Sequence, residues 1–171
     1  MIISISGVSC TGKDTILNEL QKQGYPVITP SASNMASGFK FPTMEAKDRY
    51  IFDVGHRQLV EAQHISESTG KVVFLNRSQF DNWTFRYIYG GDLSYEYLFL
   101  QDIRIPDFTW ILDPHEVQFV GNGIRPEDLG KRQAWHELML EKACEQKIEF
   151  DVLSGTVEQR LAKIEAQLKH S

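Results

Sequence analysis

The sequence SISGVSCTGKDT occupies residues 4–15 and carries the clearest signal for the fold of this chain. It begins within a short apolar run, residues 1–5, whose β-branched isoleucines predict a buried strand. It then passes two glycines, Gly7 and Gly12, and enters residues 13–23, where the spacing of apolar side chains predicts a helix. The segment that holds the two glycines is therefore expected to form the turn between the first strand and the first helix.

The two glycines and the lysine that follows them have the spacing of a phosphate-binding loop, G-x-x-x-x-G-K. Glycines allow the backbone to turn so that successive N–H groups point at a phosphate, and the helix N-terminus adds the positive end of its dipole. Lys13 would reach the β- and γ-phosphates of a nucleotide as a mobile point charge. The predicted ATP contacts in this loop are Gly7, Ser9, Cys10, Thr11, Gly12, Lys13, Asp14 and Thr15.

The residue after Lys13 departs from the usual pattern, in which a Ser or Thr hydroxyl binds Mg²⁺. Here this residue is Asp14, and Thr15 follows it. A carboxylate is a good hard-oxygen ligand, so Asp14 is predicted to bind Mg²⁺ directly or through a water. Thr15 is predicted to be a displaced metal ligand or to contact the α-phosphate. The alternative is that Asp14 only interacts favourably with the dipole of the first helix.

The composition of the 171 residues, with 42% hydrophobic and 24% charged residues, predicts one soluble globular domain over residues 1–171. No apolar run approaches the roughly 18 residues that cross a membrane, and no basic segment precedes the first apolar run. The two cysteines, Cys10 and Cys144, favour a reducing, cytoplasmic setting over a disulfide framework. A net charge of -5 disfavours a nucleic-acid partner without excluding one.

Four further strands alternate with helices along the chain, and residues 30–43 and 115–130 are predicted to be loops or irregular. This alternation predicts an α/β fold in three layers, with a five-stranded parallel sheet and helices on both faces. In such a sheet the ligand lies at the carboxyl ends of the strands. The further predicted strands are residues 26–29, 71–75, 108–112 and 150–153, and the further helices are 44–69, 78–89, 94–104, 131–146 and 157–169.

The sequence LNRSQFD, residues 75–81, follows the third predicted strand. It resembles the P-loop nucleoside and nucleoside monophosphate kinases, which carry Asp/Glu-Arg-Ser at this place, often with an Asp three residues on. These include thymidylate-kinase-like and nicotinamide-riboside-kinase-like enzymes. The Gly-Lys-Asp-Thr form of the phosphate loop also resembles that of phage deoxynucleoside monophosphate kinases. The resemblance implies a P-loop NTPase fold with a lid at about 114–132 and an acceptor-binding region at about 30–69.

The resemblance also implies catalytic roles for residues after the third strand. Arg77 would hold the transferring or accepting phosphate with its planar set of donors, and Asp81 would contact the substrate or Arg77. Asn76 stands where the family usually has an acid. An amide cannot act as a general base, so this residue favours a phosphate acceptor and leaves Asp14 to carry more of the charge that binds the metal.

Residues 117–126 and the basic residues beyond them resemble the lid of these kinases. Arg125 is predicted to be catalytic, because a lid arginine supplies positive charge to the transferring phosphate as the site closes. Arg132 is predicted to contact ATP as a second lid cation. The loop at 154–156, which includes Gly155, resembles the segment that meets adenine. The alternative for the two arginines is a solvated surface charge, and the alternative for the loop is a helix cap.

The long helix at 44–69 would line the acceptor pocket. The resemblance implies that Arg57 contacts the acceptor phosphate, that Gln63 contacts a base edge and that Phe52 stacks on the base. Each of these could equally be a surface or core residue.

These observations together predict a phosphotransferase that uses ATP and Mg²⁺ and acts on a nucleoside monophosphate, with a deoxynucleotide as the favoured acceptor. The alternatives are a nucleoside or nicotinamide riboside, a hydroxymethylated base in DNA, and a regulatory ATP-binding module that is not a kinase. No membrane partner is expected, and a homodimer is left open. None of the histidines has metal-ligand spacing, so none is predicted to bind zinc or act as a base: His56, His64, His115, His136 and His170.

Overall fold

The computed structural model describes residues 1–88, 105–115 and 129–169. Within them, the strands form one sheet of five parallel strands, as the sequence predicted, and their order is β2-β3-β1-β4-β5. The central strand β1 is flanked by parallel partners, with Ile3 opposite Phe74 on one side and Phe108 on the other. The strands are β1 (Ile2–Ser6), β2 (Val27–Ile28), β3 (Val73–Asn76), β4 (Phe108–Leu112) and β5 (Phe150–Leu153).

Helices cover both faces of the sheet, which gives the three predicted layers. On one face, α1 and α6 pack on a cluster that includes Ile3 and Ile5 of β1, and on the other face α3, α4 and α5 cover Ile2, Val73, Leu75 and Ile111. No helix in the described part of the chain is long and apolar enough to cross a membrane. The helices are α1 (Lys13–Lys22), α2 (Ala32–Ala36), α3 (Met44–Thr69), α4 (Gln79–Ile88), α5 (Leu129–Glu145) and α6 (Val157–Leu168).

The segment predicted to be a loop, residues 30–43, contains the short helix α2, so that prediction was wrong. Ser31 caps this helix by accepting a hydrogen bond from the backbone N–H of Asn34. Ala32 and Ala36 are buried against α3, and this tertiary contact stabilises a helix too short to persist alone. The predicted helix at 94–104 lies outside the described residues.

The order of the strands around β1 determines where the site lies. From β1 the chain builds β2 and β3 on one side of this strand and then continues with β4 and β5 on the other. The loops after β1, β3 and β4 therefore diverge at one edge of the sheet, where open parallel sheets bind their ligands. The phosphate-loop sequence lies at this edge.

Candidate active site at the carboxyl ends of the strands

The loop from β1 to α1 has the backbone conformation that its glycines predict. Gly7 and Gly12 have φ values of 131° and 85°, and Cys10 between them has φ of 58°. A Cβ on Gly7 would lie 3.2 Å from the backbone N and O of Leu112, so only glycine fits between this loop and β4. Gly12 is the N-cap of α1 and provides no side-chain cap, which leaves the first N–H groups of the helix available to an anion.

The ammonium group of Lys13 lies across the inside of this loop. Its Nζ donates hydrogen bonds to the backbone carbonyls of Gly7, at 2.8 Å, and Val8, and to the Thr11 hydroxyl at 3.2 Å. The side chain is buried, being 7% exposed. The positive charge of Lys13 therefore lies at the concave face of the loop, and this arrangement suits the binding of a phosphate group.

Asp81 holds the start of the loop in place. Its carboxylate is fully buried and accepts hydrogen bonds from the Ser6 hydroxyl at 2.6 Å, the Gly7 N–H at 3.1 Å and the Ser78 N–H at 2.9 Å. No hydrogen bond or ion pair joins Asp81 to Arg77 among the described residues. The predicted contact of Asp81 with Arg77 is therefore not found, because this buried carboxylate is turned towards the backbone of the phosphate loop, and its predicted contact with substrate stays a prediction.

Asp14 and Asn76 form a hydrogen bond across the edge of the sheet. Nδ2 of Asn76 donates to Oδ1 of Asp14 at 2.9 Å. Asn76 is 6% exposed at the end of β3, whereas Asp14 and the neighbouring Thr15 are exposed on the first turn of α1. An exposed carboxylate beside the phosphate loop fits Mg²⁺, and an amide at position 76 supports it without a second negative charge.

Arg77 has an unusual backbone conformation at the end of β3. Its φ is 73°, a region that side chains other than glycine seldom adopt. The backbone N–H donates to the carbonyl of Ile5 at 3.1 Å, and the guanidinium carbon lies 5.3 Å from the centre of the Trp135 ring. Strain of this kind concentrates at functional sites, because the surrounding structure must hold the residue in place.

Arg77 also lines a depression between α3 and the loop after β3. This depression encloses about 330 Å³ when the space at its mouth is included. Gly55 keeps this space open, because a Cβ at this position would extend into it and lie 3.2 Å from Cγ of Gln79. The polar side chains that line it are Gln58, Asn76, Arg77, Ser78, Gln79 and Asn82.

The predicted acceptor residues on α3 do not line this depression. Arg57 is exposed, and its Nε donates to the carbonyl of Asp53 at 3.4 Å. The backbone carbonyl of Phe52 accepts from Gln79 at 3.2 Å, and Gln63 lies about three turns after Phe52 along the helix. Gln58 faces the depression instead. The helical period could have shown this, because position 58 shares a face with the buried Val54 and Ala62.

Two arginines from the last helices bind the outer side of the phosphate loop. Arg132 of α5 donates from Nε to the carbonyl of Ser9 at 3.1 Å, and NH2 lies 3.4 Å from the carbonyl of Cys10. Burial lowers the pKa of Arg132, against the effect of the Cys10 thiol, but a guanidinium stays charged. Arg160 of α6, which sequence reasoning missed, is 2% exposed and donates to the carbonyl of Thr11 at 2.6 Å.

The remaining predicted residues have structural roles or lie outside the described part. Gly155 has φ of 91°, and a Cβ there would lie 2.3 Å from Oε1 of Gln159. Gln159 forms a capping box with Thr156 at the start of α6, so glycine keeps this cap intact. Arg125 and most of the predicted lid, residues 116–128, lie outside the described residues.

The loop after β4 adds a charged group to the same edge. Burial opposes ionisation of Asp113, but hydrogen bonds from His115 and Ser154 outweigh it and hold the pKa of this carboxyl below its ordinary value. The backbone carbonyl of Asp113 accepts from Arg160 at 3.1 Å. His136 of α5 lies beside this loop, and burial lowers the pKa of its imidazole.

These features define a P-loop NTPase fold of the kind found in nucleoside and nucleotide kinases. The chain belongs to the family whose model is described as AAA domain, because residues 2–160 match that model. No curated protein has a sequence that matches this chain.

Solved structures of kinases share the fold. A deoxyadenosine kinase from M. mycoides, bound to dCMP and dCDP, has a TM-score of 0.72 and 16% identity, with 100% of each chain covered. A thymidylate kinase from Candida albicans has a TM-score of 0.69 and 17% identity, with 99% of this chain and 91% of that chain covered. The NadR protein in complex with NR has a TM-score of 0.68 and 18% identity, with 98% of this chain and 50% of that chain covered. These similarities confirm the predicted kinase-like fold.

Proposed function

We propose that this chain transfers the γ-phosphate of ATP to a nucleoside monophosphate, with a deoxynucleotide as the favoured acceptor. The observation that carries the proposal is the chemistry of the depression beside the phosphate loop. Arg77 is the only ionisable side chain among the described residues that line it. A site with a cation and no base suits an acceptor that already carries its own nucleophilic oxygen.

The argument for a phosphate acceptor follows from acid–base chemistry. A phosphate monoester loses its second proton near pH 6, so its oxygens are already nucleophilic at neutral pH. A sugar hydroxyl has to lose a proton during the reaction, and a carboxylate or histidine near it serves as the base. The family's usual acid is replaced by Asn76, whose amide donates to Asp14 and cannot take a proton. The described site therefore favours the monophosphate over the nucleoside.

ATP would bind at the loop from β1 to α1. Its phosphates would accept hydrogen bonds from the backbone N–H groups of the loop and of the first turn of α1. Lys13 would give up its hydrogen bonds to the carbonyls of Gly7 and Val8 and donate to phosphate oxygens instead. Asp14 would hold Mg²⁺, with Thr15 as a further oxygen ligand. When bound, Mg²⁺ would supply positive charge that offsets the negative charge of the phosphate groups during transfer.

The acceptor would occupy the depression with its phosphate against Arg77. A guanidinium presents two parallel donors to a phosphate, and its contact with the Trp135 ring fixes the plane of this fork. Gln58 and Asn82 offer amide groups for the sugar or the base edge.

The test is a panel of acceptors with γ-labelled ATP and Mg²⁺. It contains deoxynucleoside and ribonucleoside monophosphates, the corresponding nucleosides, nicotinamide riboside and an oligonucleotide with a hydroxymethylated base. We expect the label in a nucleoside diphosphate. Label in a nucleoside monophosphate, in the oligonucleotide or in inorganic phosphate alone would refute the proposal and identify a nucleoside kinase, a DNA kinase or a regulatory ATPase.

Two lysines of α1 give a matched pair of variants for this assay. Lys13→Ala is expected to lower transfer by about 100-fold or more, because it removes the cation that faces the transferring phosphate. Lys22→Ala removes a lysine at the other end of the same helix, whose side chain is 70% exposed, and is expected to leave transfer unchanged. Equal turnover by the two variants would contradict the role of Lys13.

A further inference from the structure

Three side chains that bind metals meet beside the phosphate loop. Asp113 and His115 lie in the loop directly after β4, and His136 lies on the buried side of α5. Each offers one ligand atom, and these atoms all lie within 4.8 Å of one another. The two imidazole rings pack edge to face with their centres 6.0 Å apart. We propose that Asp113, His115 and His136 bind a divalent transition metal of the Zn²⁺ class, at a site separate from that of Mg²⁺ at Asp14.

The buried histidine is the observation that points to a ligand. His136 is 4% exposed, and its Nδ1 has no hydrogen-bond partner among the described residues. A buried polar atom without a partner costs about 1–3 kcal/mol, so native structures seldom keep one without a reason. A metal bound at this nitrogen would supply the partner that it lacks.

The donor set selects the class of metal. Two imidazoles and one carboxylate are the protein ligands of many catalytic zinc sites, and this set also suits other borderline divalent ions. Mg²⁺ and Ca²⁺ prefer sites made of oxygen ligands. The site therefore differs in chemistry from the single carboxylate of Asp14. Ligand atoms around one tetrahedral Zn²⁺ lie about 3.3 Å apart, so the three side chains, whose ligand atoms lie within 4.8 Å of one another, would move closer together on binding.

Asp113 and His115 already lie in direct contact. Nδ1 of His115 lies 2.6 Å from Oδ1 of Asp113, and the backbone N–H of His115 donates to the same oxygen at 2.9 Å. A metal bound by both side chains would take the place of the contact between the ring and the carboxylate. The second oxygen of Asp113 accepts from the Ser154 hydroxyl at 3.1 Å, which fixes the carboxylate in turn.

The site would link α5 to the backbone that supports the phosphate loop. The carbonyl of Pro114 accepts from Arg132, and the carbonyl of Asp113 accepts from Arg160. The same two arginines bind the carbonyls of the phosphate loop. A metal at this place would therefore hold α5, the end of β4 and the two arginines in one arrangement.

The spacing of the histidines along the chain does not indicate this site, and it led to the prediction that none of them binds a metal. His115 and His136 are far apart along the chain and belong to different elements. Only the packing of α5 against the end of β4 brings them together.

The test is a titration of the metal-free protein with Co²⁺, in the absence of ATP and Mg²⁺, followed by displacement with Zn²⁺. We expect one Co²⁺ per chain with visible absorption typical of coordination by nitrogen and oxygen. Zn²⁺ at about 100 times its Kd should raise Tm by roughly 5–10 °C. The absence of stoichiometric binding would overturn the proposal.

Variants of the histidines locate the bound ion. His136→Gln and His115→Gln are each expected to lower the affinity at least tenfold, since losing even a supporting group costs about that much. His115 is 57% exposed in its side chain, so this variant keeps the test valid if His136→Gln does not fold. His64→Gln, an exposed histidine of α3, is the matched control and should bind Co²⁺ as the wild type does.

Two further variants separate this site from the phosphate loop. Cys10→Ser and Asp14→Asn remove the other groups that could capture Co²⁺, and both should bind it with unchanged stoichiometry. Loss of binding in either of them, or unchanged binding in both His115→Gln and His136→Gln, would refute the assignment. Because no nucleotide is present, a negative result here leaves the acceptor assay unaffected, and the reverse also holds.

Discussion

Replacing Asn76 with aspartate is expected to destabilise the Mg²⁺-free protein and to make its stability depend on Mg²⁺. In the structure, Nδ2 of Asn76 donates to Oδ1 of Asp14 at 2.9 Å. Asn76→Asp removes the donor and places a second carboxylate against the first. The side chain at position 76 is buried at 6% exposure, so the new charge cannot turn freely into water.

The size of the effect follows from two contributions. A hydrogen bond to a charged group contributes about 1.5–3 kcal/mol, and this contribution is lost. Two like charges about 4 Å apart repel by roughly 4 kcal/mol near a protein surface, although the exposure of Asp14 screens part of it and a shared proton relieves more. We expect a net loss of about 2–4 kcal/mol at pH 7. For a chain of 171 residues this lowers Tm by roughly 5–15 °C.

The assay is chemical and thermal unfolding in a chelating buffer and again with Mg²⁺. Mg²⁺ should recover most of the stability of Asn76→Asp, because a cation between two carboxylates turns their repulsion into binding. Two variants serve as controls. Asn76→Ala removes the hydrogen bond without adding charge, and the double change Asn76→Asp with Asp14→Asn exchanges the two groups and restores a carboxylate–amide pair.

The variants at position 76 are expected to differ in stability in a definite order. Without Mg²⁺, Asn76→Asp should be less stable than Asn76→Ala, and the exchanged pair should be more stable than Asn76→Asp alone. If Asn76→Asp and Asn76→Ala unfold at the same denaturant concentration, no carboxylate faces position 76. In that case the hydrogen bond to Asp14 would be refuted, together with its supporting role at the proposed Mg²⁺ site.

Three further changes test other parts of the site and fold. Arg77→Gly and Arg77→Ala should both abolish transfer, but urea unfolding should show Arg77→Gly more stable by about 1 kcal/mol, because φ of 73° strains alanine. Asp81→Asn should cost about 2 kcal/mol in unfolding and weaken ATP binding in calorimetry, since the Gly7 N–H loses its anionic acceptor. Asp151→Asn should cost under about 1 kcal/mol at pH 7, because this pair with Lys163 is exposed. Burial opposes ionisation of Asp151, but hydrogen bonds from Lys163 and Val152 hold its pKa below the ordinary value of 3.8. The pair should therefore stabilise the fold in unfolding measured at pH 7, and this stabilisation should be lost in unfolding measured at pH 3.

Local sequence signals were sufficient for the parts of the fold that backbone geometry requires. The close approach of Gly7 to β4 leaves no room for a Cβ, and the apolar run of β1 is buried on both sides. Such requirements leave a fixed spacing in the sequence, and for this reason the phosphate loop and the five strands could be predicted.

The side-chain contacts of the site could not be predicted in this way. The resemblance suggested that Asp81 reaches a substrate or Arg77, but the direction of its carboxylate depends on how α4 packs against β1. Likewise, Arg57 and Gln58 are neighbours in the sequence, and only the apolar period of the whole helix α3 places position 58 on the face of the buried Val54 and Ala62. Placements of this kind are set by burial over the whole helix and leave no local motif.

The two arginines behind the phosphate loop show why this loop needs support from distant helices. In a trans peptide, the N–H of one residue points opposite to the carbonyl of the residue before it. The carbonyls of Ser9 and Thr11 are turned towards Arg132 and Arg160, so the N–H groups of Cys10 and Gly12 point away from these arginines. Each arginine thus orients a backbone donor on the opposite side of the peptide group that it contacts. The glycine spacing allows the loop to adopt its conformation, and cations from α5 and α6 select the orientation of its peptide groups.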